Sequence, residues 1–358
     1  TFPVATSVFL ESFGFTASIV PDGWDPKNPG KGGTGAYRVV SNSPGKTVLE
    51  ANPNWWNEAA GGPYIERLEL VDFKDDAARL NALLANQIDI IDSPPVSQLR
   101  TLEGRDGFAS VVTPSENAPY FNMDAAQEPF SDVRVRQAMR LIVDRVAMNQ
   151  QVFQGKGAVG NDIFNRNAPG YIGDDIEQRE QDIEQAKSLL KAAGKENLTV
   201  ELATSPIGVG TTDMAQVIVE QAKAAGVTIT LKQIDPAQFA SPQTGYGNRP
   251  FEVTTSIGGS GYLGSANTLQ VTDGIYNTTH FSDKNYDALY AEAMSTIDAD
   301  KRNELIGEMQ KIEHESGTGL LWGFNPNITA FNDKVKNVTT KPTVSPMNDF
   351  TLSTLVVS

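Results

Sequence analysis

The sequence predicts an α/β protein built in two globular halves. Three observations lead there. Helical and strand patterns alternate from residue 182 to residue 324. A separate stretch over residues 35–90 is mostly strand with one helix. The chain has 358 residues, too many for one small core and enough for two. Helices alternating with strands imply a sheet covered by helices.

Residues 1–31 are irregular and rich in aromatics and proline, and residues 26–33 are a loop by their turn residues. A strand is expected over 35–40, a turn at Ser43-Pro44-Gly45 and a second strand over 47–51, together a hairpin. Another strand follows over 67–73. Residues 75–85 are a helix with Ala77, Ala78, Leu80, Leu83 and Leu84 available for a buried face. Residues 87–90 return as a strand. Tyr120-Phe121-Asn122 is short, aromatic and extended, and 125–131 is a turn containing Pro129.

One helix is then expected from Asp132 to about Phe153, capped by Ser131. Val133, Ala138, Leu141, Ile142 and Val146 form its apolar stripe, while Arg134, Arg136, Arg140 and Arg145 fall largely off it. By itself this describes an amphipathic helix laid on a sheet. Further on, 182–193 is a helix closed by Gly194, 198–203 a strand, and 211–225 a helix closed by Gly226. Residues 227–231 alternate as a strand does. Residues 251–256 are a strand followed by a glycine-rich loop over 257–267. Two helices follow, 283–296 capped by Ser282 and 300–315. A strand over 319–324 leads out, and 325–358 has scattered prolines and no long helix.

Net charge is −15 with a pI near 4.6, which argues against nucleic acid or an anionic membrane surface as partner. With 20% charged and 39% hydrophobic residues the composition is that of a globular chain. There is no cysteine, so disulfides, thiolate nucleophiles and Cys-based zinc sites are removed from consideration. No apolar run approaches the roughly 20 residues of a membrane helix.

Gly30-x-Gly32-x-x-Gly35 and Gly155-x-Gly157-x-x-Gly160 match the dinucleotide fingerprint literally. That fingerprint needs a strand before it and a helix after it, and neither has both. The two histidines, His280 and His314, form no His-Glu-x-x-His motif and no serine triad, and are expected as solvated or capping residues. The 44 Asp plus Glu are expected to form solvated faces. No metal and no cofactor is expected.

The order Phe121-Asn122, Pro129-Phe130, Asp132, Arg134-Val135-Arg136-Gln137-Ala138, Asp144-Arg145 resembles the family 5 extracellular solute-binding proteins, the peptide-binding receptors of ABC importers. Gly33-Thr34-Gly35-Ala36-Tyr37, Leu49-Glu50-Ala51-Asn52-Pro53-Asn54-Trp55-Trp56 and Gly61-Gly62-Pro63-Tyr64 carry it further. The resemblance covers essentially the whole chain and aligns with the later part of a usual member. It implies a two-lobed periplasmic-binding-protein-like fold (type II, cluster C-like) with lobe one incomplete: 1–120 with 326–358 in lobe one, 121–325 in lobe two. The start of lobe one, its attached subdomain and a signal peptide or lipid-modified Cys would lie upstream.

What the resemblance implies about function follows from that fold. The protein would be a non-catalytic, extracytoplasmic receptor in the periplasm or anchored as a cell-surface lipoprotein. It would hold a peptide or similar small solute in an inter-lobe cleft, deliver it to ABC permease subunits, and act as a monomer. Alternatives are a carbohydrate- or other non-peptide-binding member, a chaperone or sensor on the same fold, and a carboxylate-dependent hydrolase. Ligand contacts are expected from strand ends and crossing segments: Tyr120, Phe121 and Asn122 at the first, Trp322 and Asn325 at the second, and Gly259, Ser260, Gly261 and Tyr262 in the glycine loop. In dipeptide-binding members the matching loop carries a Trp and an Asp, which align here with Gly258 and Gly261. Their Arg for the peptide carboxylate aligns with 211–214, Thr-Thr-Asp-Met. Both charged anchors are absent, so a preference for short zwitterionic dipeptides is not expected. The glycines instead imply a flexible loop with room for a longer peptide, or for a solute stacked on Tyr262 or Trp322.

Overall fold

A computed structural model describes residues 19–25, 32–57, 59, 61–239, 241, 247–341 and 351–358. Most of the loop expected over residues 1–33, and Gly30 of the first glycine motif, lie outside them. The chain divides at two places into compact units: one ends at Pro114 and resumes over Asn327–Ser358, and the other is Ser115–Pro326.

The smaller unit opens with a three-stranded antiparallel sheet, β1 (Tyr37–Ser43), β2 (Lys46–Ala51) and β3 (Arg67–Val71), in that order. Gly45 takes φ +82 at the β1–β2 turn, a conformation glycine adopts without a Cβ penalty. Helix α1 (Asp76–Leu84) starts where the Asp75 carboxylate accepts from the Ala78 N–H at 2.7 Å. It packs Leu80 and Leu83 with Ile91, Leu102 and Ala330. The expected strand near 87–90 is β4 (Ile90–Asp92), and helix α2 (Val96–Leu102) and strand β5 (Phe108–Thr113) follow.

The larger unit is organised on β6 (Ala118–Met123), whose six residues are all buried. In place of one helix from 132 to 153 there are two, α3 (Val133–Ile142) and α4 (Arg145–Phe153). Asp132, not Ser131, caps the first, and the Asp144 carboxylate caps the second by accepting from Ala147 N at 2.8 Å. That second cap is why the chain breaks at Val143. The arginines also depart from expectation. Arg136, Arg140 and Arg145 are buried, while Val146 is 69% exposed.

After β7 (Ala158–Val159) come α5 (Ile183–Ala192), β8 (Thr199–Thr204), α6 (Thr211–Ala222), β9 (Thr228–Gln233) and the short α7 (Pro236–Phe239). Then follow β10 (Phe251–Ser256), α8 (Gly261–Leu269), α9 (Lys284–Ser295) and α10 (Ala299–Ser316). Asp283 rather than Ser282 caps α9, because its carboxylate accepts from the Asn285 and Tyr286 N–H groups. The strand expected over 319–324 is two short ones, β11 (Gly319–Leu320) and β12 (Gly323–Phe324).

The main sheet runs β11-β6-β10-β8-β9, with β10, β8 and β9 parallel and β6 antiparallel to β10 and β11. One core gathers Phe121, Met123, Val135, Ala138, Met139, Phe153, Ile218 and Trp322. A second gathers Tyr262, Leu263, Ala266, Tyr286, Ile306 and Met309 from α8, α9 and α10.

The returning segment then adds β13 (Asn327–Asn332) to the smaller unit, between β4 and β5, and closes with the β14 (Val335–Lys336) and β15 (Val356–Val357) pair. Thr113, the last residue of β5, pairs with Asn327, the first of β13. On the other side of the boundary Asn325 N donates to Asn117 O at 2.9 Å and Ser115 Oγ to Asn325 O at 2.8 Å. The outgoing and returning chains are therefore held together.

Candidate ligand-binding site

Parallel strands place their carboxyl ends on one edge, and ligands of open α/β sheets sit where the strand order reverses. Here β8 leads through α6 to β9 on one side, while β10 lies on the other. The loop over 205–210 after β8 lies there against the end of β10, just before the loop over 257–260. A Cβ on Gly208 would come within 2.5 Å of Thr255 Cγ2.

Several polar groups gather on these loops. Thr204 Oγ1 and Ser205 Oγ are buried and have no hydrogen-bond partner among the described residues. Thr211 Oγ1 donates to Ser205 O at 2.9 Å and ties the loop to the start of α6. The cap residue of α6 is Gly210 in the left-handed region at φ +78, and its first turn carries Asp213.

The glycine loop is not free. Gly258 N donates to Asn117 Oδ1 at 3.0 Å, and Gly259 N to Glu116 Oε2 at 3.1 Å. From Gly261 the chain is helical, contrary to the loop expected over 257–267. The reason is that Tyr262, Leu263 and Ala266 fall on one buried face at helical spacing. Ser260 precedes this helix, its Oγ 3.0 Å from Ser265 Oγ.

The other expected contact residues separate into two groups. β6 alternates: Phe121 points into the main core, its ring 5.7 Å from Phe251, while Tyr120 packs edge-on at 4.9 Å against Phe164. Trp322 is also core. Its ring stacks 5.1 Å from Phe153 and its Nε1 donates to Met214 Sδ at 3.1 Å. Tyr262 is buried, and its hydroxyl donates to Glu313 Oε2 at 2.9 Å. No face of Phe121, Trp322 or Tyr262 is open for stacking, so these three are corrected from contact residues to packing residues. Asn122 and Tyr120 line a small cavity of about 20 Å³ with Gln270, Thr279 and Glu313, room for about one water. Asn325 stays at the crossing, half-buried on Ser115 and Asn117.

Two buried carboxyls bear on the hydrolase alternative. Glu252 and Glu313 are both pushed up to about 7, chiefly by burial. Glu252 accepts from Gly247 N at 2.6 Å and Arg249 Nη1 at 3.4 Å, and Glu313 from Tyr262 and from Gln270 Nε2 at 2.7 Å. Each is held by its own structural donors. The second glycine motif is packing as well: a Cβ on Gly160 would lie 2.7 Å from Leu321 O. His314 is not solvated but lies against Arg179, and burial followed by the Arg179 charge pushes it down to about 4. His280 is exposed, with Nδ1 2.8 Å from Asp124 Oδ1.

Sequence reasoning missed Glu116 altogether. The signal was available only as a lone acidic residue two positions ahead of β6.

Comparison with known proteins gives a consistent result. The profile of bacterial extracellular solute-binding proteins, family 5 Middle, matches residues 1–274. The nickel-binding protein NikA of Staphylococcus aureus is 24% identical over 316 residues, which is 87% of this chain and 63% of that protein. The dipeptide-binding protein of Escherichia coli is 22% identical over 323 residues, 87% of this chain and 59% of that one. The chain thus spans about three-fifths of these curated relatives. Among solved structures, DppA from Helicobacter pylori in complex with the peptide STSA aligns with a TM-score of 0.85 at 18% identity, covering 100% of this chain and 71% of that one. AppA from Bacillus subtilis in complex with a nonapeptide aligns at 0.74 and 19% identity, covering 90% and 66%. The likeness establishes the fold, that of the two-lobed periplasmic binding proteins. This chain belongs to the bacterial extracellular solute-binding proteins of family 5.

Proposed function

We propose that this protein is the extracytoplasmic solute-binding receptor of an ABC importer, taking a peptide or similar small solute and passing it to membrane permease subunits. The observation that carries the reading is the strand-order reversal between β8 and β10, where the 205–210 loop lies against the end of β10 and the buried hydroxyls of Thr204 and Ser205 have no hydrogen-bond partner among the described residues. Binding without bond-breaking fits this reading, because Glu252 and Glu313, the two carboxyls raised by burial, are each held by structural donors. Ligand contacts come from Gly259, Ser260, Gly261, Asn325 and the polar groups beside them, with residues 121–325 close to one lobe and 1–120 with 326–358 close to the other. The receptor acts as a monomer in the periplasm or as a surface lipoprotein.

Relatives named for nickel, heme and dipeptides show that the family framework accepts several solute classes. The test is to denature the full-length protein purified from its native cells and identify the released solute by mass spectrometry. A stoichiometric small solute supports the reading. Turnover of that solute by the folded protein would replace it with the hydrolase alternative.

A further inference from the structure

The loop after β10 carries Gly258, Gly259 and Gly261, and glycine loses more conformational freedom on ordering than any other residue. In an unrestrained loop that lost freedom would be subtracted from the affinity for anything bound there. Here the loop is restrained. The backbone pairing of β6 with β10 ends at Ala118 and Ser256. Beyond that pair two side chains take over: Asn117 Oδ1 accepts from Gly258 N at 3.0 Å, and Glu116 Oε2 from Gly259 N at 3.1 Å. The other oxygen of Glu116 accepts from Asn167 N at 2.9 Å, so one buried carboxylate ties the segments around 167 and 259 together.

Only glycine permits this approach. A Cβ on Gly258 would fall 2.3 Å from Glu116 Cβ and 2.5 Å from Oε2. Gly259 takes φ +105, which also favours glycine. The two holding side chains are themselves fixed where the chain enters the larger unit. Asn117 N donates to Ser115 Oγ at 3.0 Å, Ser115 Oγ donates to Asn325 O at 2.8 Å, and Asn325 N donates to Asn117 O at 2.9 Å. The glycines that would loosen the loop are thus the residues that let it be gripped.

We propose that Glu116 is a positioning residue of the solute site, which with Asn117 holds residues 257–260 in their binding conformation before the solute arrives. This rests on the receptor reading and adds to it the residues that set the shape of the loop. Neither side chain is assigned a contact with the solute. The charge of Glu116 matters because a carboxylate accepts from an N–H more strongly than a neutral oxygen does. Solute affinity then depends on a residue outside the loop, beside the chain crossing.

The test uses the full-length protein and a synthetic mixture of short peptides as the probe. Peptide binding is read by native mass spectrometry, loop order by hydrogen exchange of a fragment covering 257–262, and global stability by urea unfolding. Glu116→Ala is expected to lose at least about tenfold of the amide protection in that fragment, the scale of a hydrogen bond to a charged group, and its folded fraction to hold the peptides about tenfold more weakly. Glu116→Gln keeps one acceptor oxygen and is expected to fall between alanine and wild type. Should the alanine variant not fold, the loss in Glu116→Gln decides. Gly258→Ala leaves Glu116 in the chain but crowds it, and is expected to lower protection and affinity in the same way. A lower urea midpoint with unchanged peptide affinity would make Glu116 a purely structural residue and overturn the proposal, leaving the receptor standing. Loop protection that ignores Glu116 overturns it too. A wild type that holds no peptide overturns the peptide reading, and the positioning role with it.

Discussion

Arg145 donates to Asp162 Oδ2 across 2.6 Å, with both side chains withdrawn from water. Arg179 donates to the same oxygen at 2.9 Å, and Leu321 N to the other at 3.0 Å. Burial would raise the Asp162 carboxyl, but Arg145, Arg140 and Arg179 outweigh it and hold the carboxyl below its ordinary value. The same arginines close the end of α10: Arg140 Nη1 and Arg179 Nη2 both donate to His314 O, and Arg136 Nη2 to Ser316 O. Cations at a helix C-terminus are favoured by its dipole.

Asp162→Asn keeps the shape and tolerates the positive φ of 59 at this position, but leaves buried arginines without a counter-charge. It is expected to cost about 3–5 kcal/mol of stability, measured by urea unfolding at neutral pH. Because the folded value is depressed, this contribution is present above the ordinary carboxylate range. It is lost as pH falls through the folded value. A variant as stable as wild type would show that the arginines are satisfied by carbonyls alone.

Glu313 has the opposite sign. Its carboxyl titrates near 4.5 in an open chain and near 7 in the fold, raised first by burial. Below about 4.5 both states hold the proton. Between 4.5 and 7 only the folded state does, so stability falls as pH rises through that window and is lowest above 7. Glu313→Gln is expected to flatten this slope and to be up to about 3 kcal/mol more stable than wild type at pH 8. Thermal unfolding of both proteins at several pH values reads it directly. A slope that survives the substitution would assign the effect elsewhere, first to Glu252, which shifts in the same direction.

Gly160→Ala should destabilise by about 1–3 kcal/mol, because the new methyl meets backbone that cannot swing aside. Leu321 O lies 2.7 Å and Gly323 N 2.8 Å from its position. Chemical denaturation provides the measurement. A neutral result would mean that this strand end yields more easily than its spacing implies.

Trp322→Ala should cost about 3–5 kcal/mol, the range for removing a fully buried large aromatic. Solute affinity of the folded fraction is expected to stay unchanged, because the ring faces Phe153 and Met214. A loss of affinity without a loss of stability would return Trp322 to the binding site.

Local patterns carried far in this protein. Strands β8, β9 and β10, the helix closed by Gly226 and the β1–β2 hairpin all stand close to their expected bounds. These elements obey neighbours a few residues away. The expectations that failed depended on distant partners. Arg136, Arg140 and Arg145 look like solvent residues on α3 and α4, yet Asp162, His314 O and Gly317 O draw them inside. Tyr262 looks like a loop aromatic, but Glu313 and Tyr286 receive it in a core.

The sequence alone determined the α/β class, the order of most elements, the acidic charge and the family, since periodicity, caps and ordered identities are all local. Only the tertiary structure decided which aromatics are core and that Glu116 is buried against Gly258 and Gly259. Burial and counter-charge are set by residues tens to hundreds of positions apart, such as Glu116 and Gly258, and no window along the chain contains both.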